Sequence, residues 1–166
     1  RTKANKYLKP ETPYAGETKV LHYLEVLRDE IGWDKVKAAV THPLTGKKIG
    51  AYYGCMLLRP SREMQFDDPE NPKMLEDFIR AIGAEPVIYA QRNECCGGYM
   101  AVENRSYAAK QAQKIMDNAK AQGAELLITA CPLCSYNLLH NTDGALPVVY
   151  FTELLAEALG CGEEDA

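Results

Sequence analysis

Five of the six cysteines in this 166-residue chain share one spaced pattern. Cys55 comes first, 39 residues separate it from the adjacent pair Cys95 and Cys96, Gly97 and Gly98 follow, and a gap of 34 residues after Cys96 leads to Cys131-Pro132-Leu133-Cys134. Thiolates are soft ligands for iron-sulfur clusters or zinc, and a fold can gather them from distant parts of a chain. A tetrahedral zinc site is filled by four ligands. Five thiolates therefore exceed what zinc or an ordinary cubane cluster takes. Cys161 lies outside the pattern and reads as an ordinary cysteine.

The residues around these thiols favour their charged form. A disulfide between neighbours Cys95 and Cys96 would need a strained eight-membered ring, so both read as ligands. Gly97 and Gly98 lack side chains, which lets the backbone turn tightly and bring its amides onto an anionic group. Cys131 stands at the mouth of an expected helix and Cys134 in its first turn, where free amides and the helix dipole lower thiol pKa. On its own this CxxC fits a metal site, a thioredoxin-like redox dithiol or core packing. Arg59, Arg62 and Arg92 lie near the cysteines in sequence and could offset their charge, although a solvated surface role accounts for them too. His22, on the expected exposed side of the first helix, His42 and His140 have no metal partner by spacing. Asp67, Asp68 and Glu70 read as turn and capping residues.

The elements that position the thiols follow from periodicity. Residues 1–17, broken by Pro10, Pro13 and Gly16, read as a polar arm without regular structure. Val20, Leu21, Leu24, Leu27 and Ile31 recur at helical spacing, with Gly32 to end the helix. Strands are expected at 48–53, 86–90, 126–130 and 147–151. Between them lie a helix capped by Asn71-Pro72 with Leu75, Phe78, Ile79 and Ile82 on one face, a long helix over 103–122 with Tyr107, Ala108, Ile115, Met116 and Ala119 inward, and a helix from Pro132. Thr152 caps a last helix. Such alternation gives an α/β three-layer sandwich, a four-stranded parallel sheet flanked by helices. Cys55, Cys95, Cys96 and Cys131 then all arrive at the carboxyl ends of strands, where parallel sheets bind ligands. That convergence favours metal over a lone dithiol.

Composition narrows the function class. A formal charge of −4 gives no basic stripe for nucleic acid. The longest apolar runs fall far short of the roughly 18 residues that cross a bilayer, so no membrane insertion is expected. The absence of a secretory pattern at the start and the non-disulfide reading of the cysteines point to a reducing, cytoplasmic setting.

The context of the cysteines carries a resemblance. Tyr52-Tyr53-Gly54-Cys55, Leu57-Leu58-Arg59-Pro60, Phe66-Asp67-Asp68-Pro69-Glu70-Asn71-Pro72, Cys95-Cys96-Gly97-Gly98, Cys131-Pro132-Leu133-Cys134 and Tyr150-Phe151-Thr152 resemble the CCG (cysteine-rich) domain family. Within it the chain is most similar to the second, C-terminal CCG domain of the B subunit of heterodisulfide reductase, from about Val20 to Leu159. The Phe66 to Pro72 segment points away from the CCG subunits of glycolate and lactate oxidation and of quinone-linked reductases. The resemblance implies an arm at 1–17, one CCG domain at 18–160 and a tail at 161–166. It implies that Cys55, Cys95, Cys96, Cys131 and Cys134 bind a noncubane [4Fe-4S] cluster, which zinc could replace during purification. It also implies an oxidoreductase component that reduces a disulfide such as CoM-S-S-CoB, fed by an iron-sulfur electron-donor subunit. In that family two CCG domains face each other across the substrate, so this chain needs a second CCG domain and is inactive alone. Arg59, Arg62 and Arg92 become candidates to hold the sulfonate or phosphate of a small thiol or disulfide.

Overall fold

A computed structural model describes residues 1–161. The sequence places β-branched and aliphatic residues in four short runs, and these form β1 (Lys48–Tyr52), β2 (Glu85–Val87), β3 (Leu126–Thr129) and β4 (Val148–Tyr150). All pairs are parallel, in the order β2-β1-β3-β4. The expected α/β class and parallel sheet are therefore observed.

Helices cover both faces. Eight helical segments run in chain order: α1 (Thr2–Leu8), α2 (Tyr23–Glu25), α3 (Trp33–Ala39), α4 (Ser61–Met64), α5 (Met74–Ala81), α6 (Arg105–Ala121), α7 (Pro132–His140) and α8 (Phe151–Leu159). Alternation along the strands separates two cores: Ile49, Ala51 and Ile128 meet Leu24, Phe78, Ile79, Phe151 and Leu155, whereas Tyr52 and Leu127 meet Ile115, Met116 and Leu138. The chain leaves β1 over one face through α5 and returns from β2 over the other through α6. The direction of winding thus reverses between β1 and β3, and the crevice beyond their carboxyl ends is the expected ligand position.

Several local expectations are corrected. The arm contains α1, although none of its residues is buried. The first long helix does not begin at Val20, which is 89% exposed. It starts at Tyr23, because His22 caps it by accepting the Leu24 amide on Nδ1 at 3.1 Å, and it widens into a π-helical stretch over Val26–Ile31. His22 is half-buried against Phe66 and Phe151, not exposed. Beyond Gly32 the chain resumes as α3, whose single buried side chain, Val36, gave too little periodicity to be read. Asn71 does not cap α5. Asp67 does, accepting the Lys73 and Met74 amides at 2.7 Å each. Tyr107 is 46% exposed at the start of α6. Thr152 lies inside α8, and Glu153 instead accepts the Tyr150 amide at 3.0 Å. Of the tail at 161–166, only Cys161, exposed and free, lies within the described residues.

Beneath the site lies a buried polar network. Arg92 is 8% exposed, and its Nε stands 3.1 Å from Glu76 Oε1. Tyr53 donates its hydroxyl to the same carboxylate and accepts the Leu75 amide at 2.8 Å. Burial raises the Glu76 pKa above its ordinary value, with Tyr53 and Arg92 opposing that shift. Removing one member strands the other in a medium that solvates it poorly. Arg92→Met should therefore cost about 3–5 kcal/mol in urea unfolding at neutral pH, and Arg92→Met with Glu76→Leu should recover most of it. A double variant as unstable as the sum of the singles would show that the pair is not coupled.

Candidate metal centre

The loop after β1 carries Cys55. Gly54 precedes it in the left-handed region at φ 67°, and a Cβ there would lie 3.0 Å from Cys134 Sγ. Only glycine meets both demands. The loop after β2 carries Cys95 and Cys96, and β3 ends at Thr129, two residues before Cys131. Its turn is set by Thr129 Oγ1, which accepts the Cys131 amide at 3.3 Å, and by Tyr150, whose hydroxyl donates to the Ala130 carbonyl at 2.7 Å. Pro132 then opens α7, bringing Cys134 into its first turn.

All five thiols line one cavity of about 150 Å³, together with Tyr53, Met56, Leu57, Tyr99 and Leu133. Cys55 and Cys95 Sγ are 3.6 Å apart, as are Cys96 and Cys134 Sγ. Backbone amides point at the sulfurs: Gly97 N–H at Cys95 (3.4 Å), Gly98 N–H at Cys96 (3.4 Å) and Cys134 N–H at Cys131 (3.5 Å). Among the described residues no three His, Cys, Asp or Glu side chains are arranged to hold a single ion. The sulfurs form close pairs around a space, an arrangement suited to a group with several metal atoms. Five soft donors, amides directed at them and a glycine cradle fit an iron-sulfur cluster.

Without metal the thiols share protons unequally. Cys96 is pulled down to about 6, first by a hydrogen bond from the Cys134 thiol and then by the Gly98 amide and Asn137. Cys131 is also pulled down to about 6, first by Cys134 and then by the Cys134 and Leu133 amides. Cys134 is pushed far above the ordinary thiol range by its interactions with Cys131 and Cys96 and by burial. Cys55 is pushed up to about 11 by burial and by Cys95.

Arg92 donates to Tyr89 O (3.2 Å) and Asn71 Oδ1 (2.8 Å), and its Nε faces Glu76 Oε1 as an ion pair without hydrogen-bond alignment. Arg59 donates to Asn93 O (2.9 Å), Pro69 O (3.2 Å) and Glu70 (3.1 Å). Both arginines tie the cysteine loops to the scaffold. Arg62 is exposed on α4, and no hydrogen bond or ion pair of its side chain occurs among the described residues. Two residues went unrecognised from sequence, Glu76 and Asn137, which donates to Cys96 O at 2.7 Å; Tyr52, part of the motif before Cys55, donates its buried hydroxyl to Glu94 O at 2.8 Å. A polar residue at an otherwise apolar helix position was the only available signal for Glu76 and Asn137.

The thiol shifts predict a pH dependence for the metal-free protein. Thiolate absorbance should show two thiols ionising near pH 6, and Cys134→Ala should move both upward. For stability the signs differ. The Cys96 and Cys131 contribution is complete above the unfolded thiol pKa, roughly 8.5, and is lost as pH falls through about 6. The Cys55 contribution is complete below that value and lost as pH rises through about 11. Urea midpoints should therefore rise from pH 6 toward 8.5 and decline toward 11; a flat profile would contradict these shifts.

Comparison with known proteins agrees with this chemistry. The cysteine-rich domain model, CCG, matches residues 49–139. The chain is 31% identical to the B subunit of the ferredoxin/F(420)H(2)-dependent CoB-CoM heterodisulfide reductase of Methanosarcina acetivorans, covering 92% of this chain and 54% of that protein. It is 29% identical to a protein of Archaeoglobus profundus described as similar to the B subunit of heterodisulfide reductase, covering 91% and 55%. It is also 31% identical to the 8-methylmenaquinol:fumarate reductase membrane anchor subunit of Wolinella succinogenes, covering 89% and 54%. The chain spans about half the length of the curated relatives it matches. The Phe66 to Pro72 segment, read as separating quinone-linked relatives, serves here as a cap and turn, and overall identity draws no such distinction. No helix among the described residues is long and apolar enough to cross a membrane. A parallel sheet that delivers five thiols to one cavity, matched by the CCG model over more than half its residues, places this chain in the CCG cysteine-rich domain family.

Proposed function

We propose that residues 18–160 form one CCG domain that binds a noncubane [4Fe-4S] cluster through Cys55, Cys95, Cys96, Cys131 and Cys134, as part of a cytoplasmic protein akin to the B subunit of heterodisulfide reductase. The observation that carries this reading is the single cavity lined by all five thiols. When bound, the cluster supplies one-electron steps and a metal position open to a substrate sulfur.

The chain's own residues supply the rest. Cys96 and Cys131, thiolates at neutral pH, bind without first losing protons, whereas Cys134 and Cys55 release theirs on loading. Gly97 and Gly98 direct amides at the ligand sulfurs, and Met56, Leu57, Tyr99 and Leu133 give the cavity an apolar rim. The overall reaction takes a disulfide, two electrons and two protons to two thiols, the S–S bond being the one broken. An iron-sulfur donor subunit provides the electrons, CoM-S-S-CoB or a related disulfide accepts them, and a second CCG domain completes the substrate site. Arg62 is the arginine of the three left available for an anionic substrate group.

A second reading has its own observation: Cys131 is pulled down to about 6 beside a Cys134 held protonated, the signature of a redox dithiol. Anaerobic metal analysis separates the two. The cluster reading expects about four irons and four sulfides per chain, a magnetic signal that is lost or altered in each of the five Cys→Ser variants, and an unchanged Cys161→Ser. Metal-free protein with two rapidly alkylated thiols favours the dithiol, and one zinc favours a structural module. The isolated domain should reduce no heterodisulfide with artificial donors, gaining turnover only with a second CCG domain; turnover by the lone domain overturns the shared-site reading.

A further inference from the structure

Asn137 is 1% exposed in the middle of α7, where a helix facing the core would ordinarily carry an aliphatic residue. Its Nδ2 donates to the Cys96 carbonyl at 2.7 Å. The amide's other end is fixed as well: Asn137 Oδ1 accepts from Asn141 at 2.7 Å, and Asn141 Oδ1 accepts from Arg105 at 3.1 Å. Side-chain orientation is thus set by a chain of three partners.

The carbonyl that Asn137 grips belongs to the same peptide unit as the Gly97 N–H. In a planar trans peptide, C=O and N–H point in opposite directions. Pulling the Cys96 oxygen toward α7 therefore turns the Gly97 N–H the other way, and there it meets Cys95 Sγ at 3.4 Å. Gly97 sits at φ 76°, a left-handed conformation in which the neighbouring peptide would otherwise have wide rotational freedom. Tyr52 and Tyr53 hold the upstream end of the same loop, through Glu94 O (2.8 Å) and Arg92 O (2.8 Å). Asn137 is the anchor downstream of the thiol pair.

We propose that Asn137 is a positioning residue that sets the reduction potential of the bound cluster by locking the Cys96–Gly97 peptide with its N–H on the Cys95 sulfur. The proposal rests on the cluster reading above. A hydrogen bond to a ligand thiolate stabilises negative charge, and the reduced cluster carries more of it, so each such bond raises the potential. Losing it lowers the potential while leaving all five ligands in place.

The test uses Asn137→Leu, similar in size but without a donor, and Asn141→Ala, which keeps the donor but frees its orientation. Both are loaded anaerobically, and iron, sulfide and midpoint potential are measured. The expectation is unchanged iron and sulfide with a roughly tenfold shift toward the oxidised form in Asn137→Leu, equal to about 59 mV more negative for a one-electron couple. The Asn141→Ala shift should have the same sign and be smaller. Full iron content with an unmoved potential in Asn137→Leu overturns the proposal. Wild-type protein without iron overturns the cluster reading instead, and the peptide lock is then decided in the metal-free protein by amide exchange. Gly97 N–H should exchange slowly in wild type and lose that protection in Asn137→Leu. A wild-type Gly97 amide that exchanges as fast as an open loop amide overturns the lock whether or not the variants fold.

Discussion

The buried pair Arg92 and Glu76 is the constraint on which the site depends. Arg92 belongs to the loop after β2 that leads to Cys95, Glu76 belongs to α5, and Tyr53, hydrogen-bonded to Glu76, is two residues from Cys55. A charge taken out of water is tolerable only opposite its partner in good geometry. Two cysteine loops therefore have a single arrangement in which the pair stays intact. Arg59 repeats the principle nearer the surface, fastening the Cys55 loop to the carbonyls of Pro69 and Asn93. Apolar packing anchors each loop at single points, Leu58 after Cys55 and Tyr89 before Cys95, and the polar contacts add the rest of the positioning.

Charge at the site is managed by short-range dipoles instead of cations. The arginines near the cysteines in sequence turn away from them, while the amides of Gly97, Gly98 and Cys134 face the sulfurs. A fixed dipole stabilises charge on the sulfurs without reorganisation and brings no mobile side chain into the cavity. Cys96 and Cys131 are pulled down first by Cys134 and then by these amides.

Much of this was legible in the sequence, for identifiable reasons. The strands could be read because both faces of the sheet are buried, which makes Ile49 to Tyr52 and Leu126 to Thr129 nearly continuous apolar runs, and strand order did not have to be known to place cysteines at their carboxyl ends. The π-helical stretch and α3 were hidden because their burial lacks a regular period, with Leu27 and Val36 as isolated anchors. Sequence proximity to a cysteine says nothing of which way a guanidinium turns, so the bonds of Arg59 and Arg92 to loop carbonyls and Asn71 lay outside what spacing shows. Asn71 looked like a cap beside Pro72, but Asp67, a few residues earlier, reaches back over the turn and satisfies the first amides of α5.

The placement of the thiols outside the regular strands bears on access to the cavity. Cys96 and Cys134 are buried members of one of the two apolar layers and Cys131 packs against it, whereas Cys55 and Cys95 lie outside both. Loops can open with a free energy well below that of global unfolding when they contribute little to such layers. Access to the cavity is thus one-sided: local opening at the half-buried Cys55 and the exposed Cys95 admits a bulky group, while Cys96 and Cys134 stay fixed in the packed layer behind it.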